Sequence, residues 1–278
     1  MLSIIISIVA GFCAGAGMEV VLDSPGWGIT VGCVVTIGVM FAMTRYFGKR
    51  LTNIANQVQN LIQESQNEAQ RLINRFQTKP GSSQKVMQTQ IEKIVEKGIL
   101  KALDVLTGAR PLYKWSPLAE RQINTLKMQL HYQIKGFEEV DRLVSKIIVL
   151  DPMTLAMKMA RQYHQKSADL DKTFRRGVKK FKYEKATLIY SLYAWMLVKR
   201  KETEKALEVL AVAKEKTEHE TIQRNWQHLA NNKPNLFSNA GLGEQWYALH
   251  LEAPPKQKVG KGRMKSNPMM PKGKRRFM

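Results

Sequence analysis

The chain has 278 residues, with 44 Lys plus Arg against 23 Asp plus Glu and a formal net charge of +21. An apolar fraction of 44% with 8% aromatics is ordinary for a globular chain, which excludes wholesale disorder and a collagen-like repeat, at a length for roughly one or two folding units. The two cysteines, Cys13 and Cys33, lie inside apolar runs, so the sequence offers neither a disulfide framework nor the thiolate cluster of a structural zinc or iron–sulfur centre.

The chain opens with LSIIISIVAGFCAGAGMEVVL at 2–22, whose one charge is Glu19, and a second, uncharged run covers 27–44. At about 1.5 Å rise per residue, each run matches a hydrocarbon core of roughly 30 Å, so both are expected to be transmembrane helices. Asp23, Ser24, Pro25 and Gly26 are all that separates them, which predicts a tight turn and an antiparallel hairpin over 1–47. A cleaved signal peptide fits poorly, because no Lys or Arg precedes the first run and a second span follows directly. The turn carries an acid and no base, whereas Arg45, Lys49 and Arg50 follow the second span. The positive-inside rule then puts the turn outside and everything after Arg45 in the cytoplasm, as in a two-pass bacterial inner-membrane protein with both termini cytoplasmic. Two GxxxG spacings, Gly11 to Gly15 and Gly28 to Gly32, are ridges that let helices pack closely, within the hairpin or between two copies.

A stalk is expected over 48–77. It is rich in Gln and Asn, lacks Gly and Pro after Gly48, and repeats Leu51, Ile54, Val58, Leu61, Leu72 and Phe76 at helical steps. Such a helix needs a partner for its stripe: either a second copy, as a short coiled coil that polar Ser65 weakens, or a later helix of the same chain. The break TKPGSSQ at 78–84 is a joint. It introduces a linker and amphipathic helix (78–118) with Val86, Ile91, Ile94, Val95, Leu100 and Leu103 on one broad face, suited to a core or to a membrane surface. Gly108 closes that helix, and RPLYKWSP at 110–117 is an irregular connection.

From 119 to 252 the pattern turns to helix pairs. Gly136, Phe137, Val140, Leu143, Val144, Ile147 and Pro152 form one set; Tyr190, Tyr193, Ala194 and Leu197, followed by Ala206, Leu210 and Ala213, form another. These residues resemble tetratricopeptide (TPR) repeats: a glycine turn, a helix closed by Leu-Asp-Pro, and large and small residues alternating where two antiparallel helices cross. Between them, Ala156, Met159, Ala160 and Tyr163, followed by Leu170, Phe174, Val178 and Phe181, supply a middle unit. Trp226, Leu229 and Ala230, followed by a helix over 242–251, supply an atypical last one. The departures are a missing closing proline at Glu218 and Lys172 where a small residue belongs. The expected fold class is all-α: a transmembrane hairpin, a helical stalk, an α-solenoid of TPR-like pairs and a disordered basic tail over 253–278. The resemblance implies a non-catalytic protein with a concave groove for a partner, in which Tyr163, Tyr190, Tyr193 and Trp226 are groove contacts or core residues.

No phosphate loop, close histidine pair or nucleophile–base set occurs, so no catalytic residue, metal ligand or cofactor is assigned. The charge is instead the informative feature. Nine Lys or Arg and no acid lie in 253–278, Lys272, Lys274, Arg275 and Arg276 among them, and Arg175, Arg176, Lys179 and Lys180 form a basic patch inside the helical part. Three partners match this charge: anionic lipid headgroups, RNA or a ribosome bound without sequence preference, or an acidic protein. The expected function is a membrane-anchored cytoplasmic adaptor or scaffold for an unidentified protein, the alternative a membrane tether for nucleic acid or ribosome. Self-association would run through the hairpin or the stalk.

Overall fold

The computed structural model of the chain describes residues 2–22, 25–77 and 84–254. All regular structure among them is helical. The basic tail from 255 onward, with Lys272, Lys274, Arg275 and Arg276, lies outside the described residues, as do Asp23 and Ser24 of the expected turn and most of the expected joint.

Helix α1 (Leu2–Leu22) pairs with the first half of α2 (Pro25–Gln77), and both are long and apolar enough to cross a membrane. The two glycine ridges meet inside this one chain. A β-carbon on Gly11 would stand 2.6 Å from the Gly32 carbonyl oxygen and one on Gly15 2.8 Å from that of Gly28, with 2.9 Å in each reverse direction. Backbone thus touches backbone at two successive turns of an antiparallel pair, which only glycine permits.

The span and the stalk, expected as separate elements, are one uninterrupted helix of 53 residues, about 80 Å long. Beyond Gly48 the α2 sequence holds no Gly or Pro to break it. Its stripe is covered by α3 (Gln84–Gly108), which folds back antiparallel and sets Ile99, Ala102, Leu103 and Leu106 against Val58, Leu51, Ile54 and Leu61. The partner of the stripe is therefore a later helix of the same chain. Ser65, which looked like an interruption, is the close-approach point of this arm: it is buried, its hydroxyl donates to the Ile62 carbonyl at 2.8 Å, and it faces Gly98 so tightly that a β-carbon there would strike it.

The connection at 110–117 is not irregular. Arg110–Lys114 is a 3-10 helix, and Trp115 behind it stacks on Phe47 at 5.0 Å. The Trp115 carbonyl accepts from Ser3 Oγ at 2.6 Å. The chain thus returns to the open end of the α1–α2 hairpin before the helical domain begins.

That domain is built from α4 (Pro117–Gln133), α5 (Phe137–Leu143), α6 (Pro152–His164), α7 (Leu170–Lys180), α8 (Thr187–Lys199), α9 (Thr203–Lys216) and α10 (Glu220–Ala230), and it ends in the four-residue helix α11 (Glu244–Tyr247). Helix α4 serves two cores: Ile123 and Leu130 pack into the arm, while Met128 and Tyr132 pack into the domain. Helices α4 and α6 open alike, with a polar cap followed by proline at the first helical position. Ser116 accepts from the Ala119 amide at 3.4 Å and Asp151 from the Thr154 amide at 2.8 Å. Leu-Asp-Pro, expected as the end of a helix, is thus the start of the next.

Helices α4, α6, α8 and α10 also close alike. Lys135, Lys166, Lys201 and Asn232 take positive φ values of 59°, 52°, 63° and 53° just past α4, α6, α8 and α10. At each, the amide of the next residue reaches back to the last turn: Gly136 to His131 at 2.8 Å, Ser167 to Gln162 at 2.9 Å, Glu202 to Leu197 at 2.9 Å and Lys233 to His228 at 2.8 Å. These are four copies of the same left-handed helix stop.

Two expected helices are shorter than the pattern suggests. Helix α5 ends at Leu143 rather than running to Leu150, because the β-branched run that follows leaves the helix: the Thr125 hydroxyl, donating to its own Arg121 carbonyl at 2.8 Å, accepts from the Ile148 amide at 3.0 Å. The last helix is one turn, flanked by Gly243 at φ 60° and His250 at φ 53°.

Candidate interaction surfaces

Helix α8 is buried on almost every side, and what covers each side determines which surfaces remain open. One side meets α7, where Phe174 stacks on Tyr193 at 3.9 Å and lies edge-on to Tyr190 at 5.7 Å. Gly177 lets α7 approach Leu155 of α6 and Ile189 of α8. Tyr190 and Tyr193 are thus core residues with polar tips. Tyr193 donates to the Asp171 carboxylate at 2.9 Å, and Tyr190 Oη accepts from Lys216 Nζ at 3.4 Å. Burial and the Asp171 carboxylate push the Tyr193 phenol up to about 12.

The other side of α8 meets the end of the domain itself. The Asn239 amide donates to the Ser191 carbonyl at 2.9 Å, and Trp246 lies edge-on to Trp195 at 5.6 Å. Glu252 accepts from both indoles, each at 2.8 Å. Farther along, Tyr132 of α4 donates to the Leu249 carbonyl at 2.7 Å and stacks on His250 at 5.7 Å. Asn239, Trp246 and Leu249 are fully buried. Residues 239–252 therefore lie across α4 and α8, the helices expected to line the groove. Nothing in the sequence marked this segment as a filler; its helical spacing of Trp246 and Leu249 read equally well as an outer capping helix.

Tyr163 and Trp226 are half-buried, and each ring is roofed by a cation: Arg200 stands 5.5 Å above Tyr163 and Lys214 3.9 Å above Trp226. Of the four expected groove residues, then, Tyr190 and Tyr193 are core, and Tyr163 and Trp226 are half-buried rings under cations.

The basic patch on α7 is open. Arg175, Arg176, Lys179 and Lys180 are all exposed on the side opposite Leu170, Phe174 and Gly177. Among the described residues the ion pairs are Arg142–Glu139, Lys205–Glu202 and the bidentate Arg161–Asp141, so none involves this patch. Lys180 does donate to the Val149 carbonyl. The patch continues into a cleft of about 500 Å³ where α7, the turn after it and α9 meet, lined by Val178, Lys179, Phe181, Lys182, Tyr183 and Lys216. Tyr183 holds a left-handed backbone at φ 56° and is 74% exposed at the rim. An apolar floor under several ammonium groups suits a ligand that is anionic at one end and aliphatic or aromatic at the other. No cluster of three or more His, Cys, Asp or Glu able to hold a metal occurs among the described residues.

No family model, curated protein or solved structure matches this chain.

Proposed function

We propose that the chain is a membrane-anchored adaptor: α1 and the first half of α2 hold it in a bilayer, and the helical domain presents a cationic surface to a partner protein. The observation that carries the reading is the exposure of large apolar side chains along both helices, such as Phe12 (77%), Val20 (85%), Ile29 (70%) and Phe41 (67%). Only 17% of the first apolar window and 6% of the second are buried, so neither is a core helix of a soluble domain. Each such side chain gains about 1.5–3 kcal/mol on leaving water, a gain the chain itself does not supply. By the positive-inside rule, Arg45, Lys49 and Arg50 put the domain in the cytoplasm.

TPR-like organisation of the domain is supported by leading helices that begin at Pro117, Pro152, Thr187 and Glu220, spacings of 35, 35 and 33 residues, each ending in the same left-handed stop. Because 239–252 occupies the inner face, the partner surface in this reading is the outer cleft beside α7, and the partner segment is acidic with an apolar side chain. A photo-crosslinking amino acid in place of Lys182, in the full-length chain in its own membranes, is expected to give a discrete protein adduct that Lys179→Glu abolishes and that the same group at Glu208 does not give. Identical labelling at both positions would refute the adaptor reading.

A second reading rests on the same exposed face of α7: a tether for RNA or a ribosome, with the basic tail as a second contact. It requires binding that falls steeply with salt.

A further inference from the structure

We propose that the chain comes back to the bilayer surface at residues 110–115, and that this segment and the end of the hairpin form a collar that binds the phosphate of anionic phospholipids. The inference rests on the membrane reading of α1 and α2 and extends it to a third, distant stretch of sequence.

Three segments meet at the open end of the hairpin. Ser3 Oγ donates to the Trp115 carbonyl at 2.6 Å, and the Trp115 indole stacks on Phe47 at 5.0 Å, so Trp115 is held at the level where the apolar runs end. Around that point stand Arg45, Lys49 and Arg50 from α2 and Arg110 and Lys114 from the 3-10 helix, all exposed. Residues 45–50 and 110–115 contain no acid; Asp104 in α3 and Glu120 in α4 flank the second stretch, and burial together with the Glu120 carboxylate pushes the Tyr113 phenol up. The aromatics are those of a membrane interface: Arg50 lies 5.0 Å over the Tyr46 ring, and Tyr113 and Trp115 are half-buried. Leu112 turns inward, whereas Leu118, in the first turn of α4, is 52% exposed.

Cations mixed with aromatics suit headgroups, and the position of the collar selects lipid over a soluble polyanion. It continues directly into the exposed apolar surface of both helices, Ile4 and Ile5 on one and Met40 and Phe41 on the other. Any ligand seated there has hydrocarbon-facing side chains beside it, and a phospholipid matches both halves of that environment. The role of Arg110 and Lys114 is invisible to the positive-inside rule, because they follow the second span by some sixty residues in sequence and reach its end only through the fold of the arm.

The test uses the full-length chain with Cys13 and Cys33 replaced by serine and an environment-sensitive fluorophore on Leu118→Cys, reconstituted in phosphatidylcholine with or without phosphatidylglycerol. The label is expected to shift to the blue and to be quenched by nitroxide lipids, while the same label on Glu208→Cys stays solvent-like. Native mass spectrometry from mixed micelles is expected to find phosphatidylglycerol retained on the wild type, and Arg110→Gln with Lys114→Gln to cut that retention several-fold. A solvent-like label at 118 in both lipids overturns the collar, as does undiminished retention by the double variant or a label that answers to added RNA and not to anionic lipid. Alkaline carbonate separates the two readings. A chain that resists extraction while the label stays silent loses the collar alone, and a chain that is extracted loses the membrane reading and the collar together.

Discussion

His250 shows how a single residue can set the pH response of this domain. Its ring is stacked on Tyr132 and edge-on to Phe137, half-buried beside Lys135, and burial pushes its pKa below the ordinary histidine value, as it does for His131. A histidine whose folded pKa is depressed refuses a proton that the unfolded chain accepts. The folded state therefore loses stability as pH falls through the unfolded value of about 6.5, and the loss continues until the folded value is reached. The domain is expected to melt at a lower temperature at pH 5.5 than at pH 7.5, and His250→Phe, which keeps a ring on Tyr132, to flatten that dependence. A melting temperature equally pH-dependent in the variant would exclude His250 as the source. Asp141 acts in a different window. The Arg161 guanidinium holds its carboxyl below the usual range, so the stability it adds is present above about pH 4 and is lost only in stronger acid.

Among the elements, the arm of α2 and α3 turns on one contact between small residues. Gly98→Ala places a β-carbon against the Ser65 side chain, and overpacking of this kind costs about 1–3 kcal/mol. Ser65→Gly removes the obstructing atoms at a helix-propensity cost of roughly 0.5 kcal/mol, so the double variant is expected to be more stable than the sum of the single effects allows. Strict additivity in thermal or denaturant melts would show that the two residues do not meet. This contact also marks what sequence can and cannot give. The helices α3, α4, α6, α7, α8, α9 and α10 were legible from apolar spacing, and the glycine ridges from their register, because each is a periodic signal local to one helix. Ser65 was misjudged because its meaning lies in Gly98, a partner thirty-three positions away. Helix α5 was overextended because Val144, Ile147 and Ile148 are apolar at helical steps yet β-branched, and the Thr125 hydroxyl offers that backbone an alternative partner.

At the scale of the whole molecule, the chain makes two returns that its sequence did not announce. It comes back at 110–115 to the end of the hairpin, and at 239–252 to the face of α4 and α8. The first brings the helical domain to the base of the arm, where α3 buttresses the second half of α2. The second fills the inner face with Trp246, Leu249 and the Glu252 carboxylate that joins two indoles, which moves the open, chargeable surface to α7. Tyr163, Tyr190, Tyr193 and Trp226 were readable as aromatic positions on leading helices. Tyr190 and Tyr193 are turned to Phe174 of α7, and Tyr163 and Trp226 lie under Arg200 and Lys214, contacts between elements that no local spacing shows.

Lipid covers the apolar faces of α1 and α2 in the proposed membrane anchor. Flotation of the full-length chain on a density gradient with uncharged phosphatidylcholine vesicles, in salt high enough to screen the basic surface, tests this directly. The chain is expected to rise with the vesicles. A chain left in the dense fractions, monomeric and folded, would contradict the account.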